Sequence, residues 1–226
     1  MKGLKILGRE VTDIDKAQLK QLELQKKLEE PIRPTIPIQE ADALHIQSML
    51  QDFPEARLAF SIAWILGQRI GDVMRLEQRG IGIPIKDPLT TKWNVPITFY
   101  VTKNVKKADP YTLHLPLQST VGMELTEFTK KRSSSDHSVT HGKKPLLFQP
   151  NSIWHIRQCI HGMSKGFNLL SIRKGGLQNM AMKGVKDVKK FSRHTTEAML
   201  QRYLDWGKAD LAPAREAQAA NLFSAW

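Results

Sequence analysis

The chain holds a single cysteine, Cys159, in 226 residues, so it cannot close a disulfide within itself and suits a reducing compartment. It also lacks any apolar run of the length a membrane span requires, and residues 1–5 lead into no stretch of signal-peptide type. No membrane partner is therefore expected, and the expected location is the nucleus in a eukaryotic host and the cytoplasm otherwise. Internal repeats and low-complexity tracts are absent as well. Acidic residues are in deficit, 22 Asp and Glu against 34 Lys and Arg, for a formal charge of +12. An excess of that size biases the surface toward a polyanion such as nucleic acid. A chain this long buries roughly 70–75% of its unfolded surface, enough for one domain with a real core and too little for a second full one.

Residues 12–30 form a charged, helix-prone stretch, with Thr12 and Asp15 at capping-box spacing and Leu19, Leu22 and Leu28 in a thin apolar stripe. Pro31, Pro34 and Pro37 end it, and residues 31–37 read as an extended linker. Compact structure is expected from Ile38. Residues 39–50 read as a helix with Ala43, Ile46 and Leu50 on one face. Pro54 suits the first turn of a second helix that is apolar on most faces and runs to Gly67, which predicts a buried element. A short amphipathic segment, 69–76, follows. Alternation over 97–102 and 112–116 predicts a β-hairpin with a lysine-rich turn. Residues 130–144 lack periodicity and read as a loop. Helical patterns resume from Asn151, with breaks at 162–166 and around Gly184.

Within these elements, charged groups stand at suggestive spacings. Asp72 follows Arg69 by three residues, which on a helix lets a carboxylate orient a guanidinium toward a phosphate. In isolation the pair reads as a solvated helix face. Lys103 ends the first hairpin strand, with Lys106 and Lys107 after it. A lysine there can bind a phosphate or donate a proton to a leaving alkoxide, although alone it reads as a solvated turn. Arg173 and Lys174 lie at a helix start whose Gly175 and Gly176 permit close backbone approach. Tyr203 sits nine residues after His194. His155, Cys159 and His161 are near one another, but His161 leaves the shared helix face and no paired cysteines complete a metal set. No metal site is expected.

Taken in order, Arg69 with Asp72, the hairpin lysine, Arg173, His194 and Tyr203 resemble the signature of the tyrosine recombinase family, the phage-integrase-like strand-exchange enzymes. The resemblance covers residues 37–206. Lys103 is the best match to the family's hairpin lysine, with Lys106 and Lys107 competing. The wording around Arg173 and from Arg193 to Leu204 looks closest to recombinases of eukaryotic mobile elements, such as cryptons and the telomere-associated transposons of kinetoplastids. The resemblance implies a mainly α fold with a small antiparallel β-hairpin or sheet, like that of the recombinase catalytic domain. It divides the chain into a charged helical segment with its Pro-rich linker, 1–37, a catalytic domain, 38–206, and a tail, 207–226, read as a helix docking in trans.

The resemblance implies site-specific cleavage and rejoining of double-stranded DNA, with self-association in a synaptic assembly and without metal or other cofactor. Tyr203 would attack the scissile phosphate to form a 3′-phosphotyrosyl link and free a 5′-hydroxyl. Arg69, Arg173 and His194 would stabilise the phosphate oxygens, and Lys103 would protonate the leaving oxygen. Lys106, Lys107 and Lys174 would contact DNA. Three departures stand out. Leu170 occupies the histidine position of the family's His-x-x-Arg, where leucine neither exchanges a proton nor binds an oxygen. Arg193 replaces the glycine before His194. The family's N-terminal DNA-clamping domain has no room ahead of the prolines. A catalytically impaired DNA-binding remnant and a type IB topoisomerase-like relaxing enzyme are the alternative expectations.

Overall fold

The computed structural model describes residues 5–6, 9–10, 35–88, 90–100, 110–133, 140–141, 144–164, 166–185, 188–192, 200–201 and 204. The chain divides into two compact units, Met1–Pro34 and Thr35–Trp226. In the first, strand β1 (Lys5–Ile6) pairs antiparallel with β2 (Arg9–Glu10). The helix expected over residues 12–30 lies outside the described residues.

In the second unit, the backbone N–H of Ile38 donates to the Ser171 carbonyl at 3.2 Å and the Ile38 side chain is fully buried. Helix α1 (Glu40–Met49) follows at once, started by Gln39, whose N–H donates to the Asp42 carboxylate at 3.1 Å. Ala43, Ile46 and Leu50 line its buried side, as the spacing of three and four predicts. Pro54 takes the first position of α2 (Pro54–Ile65), where its missing N–H costs no hydrogen bond. This apolar helix is the centre of the domain, in contact with α1 and with four of the later helices, α3 (Ile70–Val73), α4 (Thr120–Ser133), α5 (Ser152–Met163) and α6 (Leu169–Met182). Gly67 ends the turn after α2 at φ +59°, a left-handed conformation that lets the chain reverse into α3.

A short 3-10 turn (Gln78–Gly80) leads to a three-stranded antiparallel sheet of β3 (Ile85–Lys86), β4 (Trp93–Phe99) and β5 (Tyr111–Pro116), in that order. The expected hairpin is β4 with β5. Its register sets Val95 opposite Leu115 and Ile97 opposite Leu113, all four buried on one face. Thr102 and the lysine-rich turn lie outside the described residues.

The expected loop over 130–144 is corrected at both ends. Lys130 to Ser133 form the last turn of α4, whose Val121, Leu125 and Phe128 recur at helical spacing. Basic residues there are favoured by the helix dipole, so polarity alone misled. Thr140–His141 and Lys144–Pro145 then pair as β6 and β7. A final short helix, α7 (Val188–Ser192), closes the described elements, and Leu200 and Leu204 join Leu177, Met180 and Val188 in a second apolar cluster. Among the described residues no helix is long and apolar enough to cross a membrane.

Candidate functional site

Close packing of α6 on α2 sets the position of the candidate site. A Cβ at Gly175 would fall 1.9 Å from the Ile38 carbonyl oxygen, and one at Gly176 2.0 Å from that of Trp64. Only glycine tolerates such approach, so the close backbone contact expected at these residues is made with the protein's own main chain. It draws the middle of α6 against the carboxyl end of α2, and α3 packs on both helices. Arg69 on one side and Arg173 on the other are carried by these elements.

Arg69 is the residue before the first turn of α3, extended rather than helical. Its Nη1 lies 3.8 Å from an oxygen of Asp72, which is 3% exposed, while 39% of the Arg69 side chain meets solvent. The second Asp72 oxygen accepts a hydrogen bond from Arg75 Nη1 at 3.4 Å. A buried carboxylate is tolerable only when paired, and here two arginines flank it symmetrically in sequence, three residues to either side. Arg75 escaped the sequence reading, although its distance from Asp72 was a usable signal.

Arg173 is 2% exposed, far more enclosed than a basic helix start suggests. Its Nη2 donates to the carbonyl of Ser192, the last residue of α7. Asn168 caps α6, its Oδ1 accepting from the N–H of Leu170 at 2.8 Å and of Ser171 at 3.3 Å, while Ser171 Oγ accepts from the Asn168 N–H at 3.0 Å. This reciprocal cap fixes the first turn that presents Leu170, 39% exposed. Lys174 donates from Nζ to the Thr35 carbonyl at 3.0 Å, on the segment leading into α1.

The structure adds Gln68 to this set. Buried to 1% exposure, it donates to the Leu66 carbonyl at 2.6 Å and the Phe191 carbonyl at 2.8 Å, and accepts from Tyr111 Oη at 2.9 Å. Gln68, beside Arg69, and Arg173 therefore hold the consecutive carbonyls of Phe191 and Ser192. Nothing in the local pattern signalled this, since the partners lie 43 and 123 residues away. Lys103, Lys106, Lys107, Arg193, His194 and Tyr203 lie outside the described residues. The nearest described neighbours of Tyr203 are Leu204, 2% exposed, and Gln201.

The residues weighed as metal ligands are placed otherwise. His155 stacks on Phe53 with ring centroids 3.8 Å apart. Among the described residues no group of three or more His, Cys, Asp or Glu side chains is arranged to hold a metal ion. Burial pushes the Cys159 thiol above its ordinary pKa, against a smaller opposing backbone hydrogen bond.

A mainly helical domain with a small three-stranded antiparallel sheet, connected in this order, has the fold of the tyrosine recombinase catalytic domain. The structure is similar to that of the XerH site-specific recombinase bound to palindromic difH substrate, with a TM-score of 0.60 at 13% identity, over 80% of this chain and 52% of that one. It is also similar to the Tn1549 transposon integrase in complex with circular intermediate DNA, with a TM-score of 0.54 at 15% identity, over 90% of this chain and 75% of that one. The XerA recombinase gives 0.53 at 16% identity, over 84% and 69%. The match thus spans about half the length of the XerH chain. No protein-family model and no curated protein sequence matches the chain.

Proposed function

We propose that the protein cleaves and rejoins double-stranded DNA through a tyrosine nucleophile. The observation that carries this reading is the convergence of Arg173 and Gln68, the neighbour of Arg69, on consecutive α7 carbonyls directly ahead of Arg193 and His194. It joins the two arginine segments to the stretch that leads to Tyr203, in a fold shared with recombinases. On this reading the Tyr203 oxygen bonds to phosphorus as the bond to the 5′-oxygen breaks. Lys103, or Lys106 or Lys107 beside it, supplies the proton to that leaving oxygen, and the phenol proton passes to solvent. Arg69, Arg173 and His194 stabilise the charge on the remaining phosphate oxygens, with Asp72 holding Arg69. Rejoining reverses these steps, since the phosphotyrosyl bond stores the energy of the broken one.

The finer reading is a recombinase of a mobile element that assembles on DNA through self-association, with residues 38–206 as its catalytic domain and Lys106, Lys107 and Lys174 contacting DNA. The transposon integrase among the similar structures supports the mobile-element part. A nicked suicide substrate tests the chemistry. A denaturant-resistant protein–DNA adduct is expected from the parent and not from Tyr203→Phe. An adduct that persists in the Phe variant removes Tyr203 as nucleophile.

One observation favours a second reading, a DNA-binding module with impaired cleavage. Leu170 stands exposed on the first turn of α6, at the place where the family pattern has histidine, and offers no hydrogen bond to a phosphate. Tight DNA binding without adduct from either protein would decide for it.

A further inference from the structure

We infer that Gln68 is a positioning residue, whose buried amide holds the three segments bearing the candidate catalytic groups in register. The inference deepens the strand-cleavage reading and rests on it. A primary amide offers two N–H donors and one carbonyl acceptor. Here both donors face main-chain carbonyls, Leu66 O and Phe191 O, which can only accept, and the amide oxygen faces the Tyr111 hydroxyl, which can donate. One orientation of the amide satisfies all three contacts. The flipped one would set oxygen against two carbonyls.

Each contact reaches a different part of the candidate site. Leu66 closes α2 just ahead of Gly67 and Arg69. Phe191 lies in the last turn of α7, three residues before His194. Tyr111 opens β5 and stacks on Phe99, the last residue of β4, with ring centroids 4.8 Å apart and planes at 8°. That stacked pair closes the base of the connection containing Lys103, Lys106 and Lys107. One side chain thus spans the Arg69 turn, the lysine connection and the approach to His194. Gln68 itself is 1% exposed, so on its side of the network solvent has little access to replace a lost bond.

An apolar residue of the same volume would fill the site and leave it undirected. Gln68→Met therefore removes all three contacts with little change in size. Gln68→Glu keeps the acceptor for Tyr111 and turns an oxygen toward the two carbonyls. Tyr111→Phe frees the hairpin alone. Leu125→Ala, a truncation of a buried α4 residue, is the control for general loss of stability.

Two measurements are made on the full chain, hydrogen exchange of the backbone amides and the single-turnover adduct rate on saturating suicide DNA. In Gln68→Met and Gln68→Glu, amides of β5 and α7 are expected to exchange about 10-fold faster, the equivalent of roughly one lost hydrogen bond. The adduct rate should fall about 10- to 100-fold, as misplacement of reacting groups does, while DNA affinity stays within about 2-fold. Tyr111→Phe should loosen β5 and spare α7. Leu125→Ala should leave the saturated rate within about 3-fold of the parent, since Leu125 makes none of the Gln68 contacts. Exchange unchanged in β5 and α7, or raised only as in Leu125→Ala, overturns the inference, and so does coupled loosening with an unchanged rate. If the parent forms no adduct, strand cleavage is the reading that fails, and the exchange comparison alone decides whether Gln68 holds these segments. Should both Gln68 variants fail to fold, Tyr111→Phe decides, and unaltered exchange in β5 overturns the claim.

Discussion

Arg173 donates from its buried guanidinium to the carbonyl of Ser192, so the start of α6 is tied to the end of α7 two residues before His194. A lysine can carry the charge but presents a single ammonium in place of a planar fork. Arg173→Lys is therefore expected to cost about 1.5–3 kcal/mol in urea denaturation, the range for a hydrogen bond involving a charged group. The adduct rate should drop by at least about 100-fold, as for loss of one transition-state donor. A variant as stable as the parent would show that the Ser192 contact contributes nothing to the fold.

Arg69 and Arg75 share Asp72 and are equally half-exposed, which makes them a matched pair. Replacing either with Ala should change stability by only about 0–1 kcal/mol, because each pair has a solvated partner. Cleavage should separate them. Arg69→Ala is expected to lose about 100- to 1,000-fold in adduct rate, and Arg75→Ala to stay close to the parent. Equal losses would move the phosphate contact to the pair as a whole.

Leu170 is 39% exposed on the capped first turn of α6, so part of a polar side chain there would meet solvent. Leu170→His is expected to raise the single-turnover adduct rate, with about 100- to 10,000-fold as the gain that a general acid–base group makes available. Arg193 competes for the same role, and Arg193→Gly measured alongside separates the two. A parent already fast and indifferent to both changes would remove position 170 from the account.

The Cys159 thiol is pushed up by burial, and the thiolate is the nucleophile in alkylation. A raised pKa means less thiolate at any pH below it. Iodoacetamide at pH 8 should therefore modify the folded chain more slowly than a free cysteine, and the rate should keep rising with pH beyond the point where free cysteine levels off. Alkylation at the free-cysteine rate, with the same pH dependence, would contradict this.

Local pattern was enough for the elements whose partners are near in sequence or whose face is plainly apolar. Ala43, Ile46 and Leu50 announced the buried side of α1, Pro54 and the apolar run after it announced α2, and alternation through Ile97 and Leu113 announced the β4–β5 pairing. The basic last turn of α4 was missed because charge at a helix end resembles charge in a loop until the helix itself is seen. The two-residue strand β3 was missed because so short a segment has no period to read.

The ordered set of Arg69, Asp72, Lys103, Arg173, His194 and Tyr203 was picked out by its resemblance to the tyrosine recombinase signature, each member alone reading as an ordinary surface residue. Spacing does not say how deeply a side chain sits or what it meets. Arg173 is buried because glycines at 175 and 176 let α6 sink onto the main chain of Ile38 and Trp64, and Gln68 matters because Tyr111 and Phe191 are brought to it from distant parts of the chain. Such contacts cost chain entropy that only the packed core repays, so they exist in the tertiary structure and leave no mark on any one stretch of sequence.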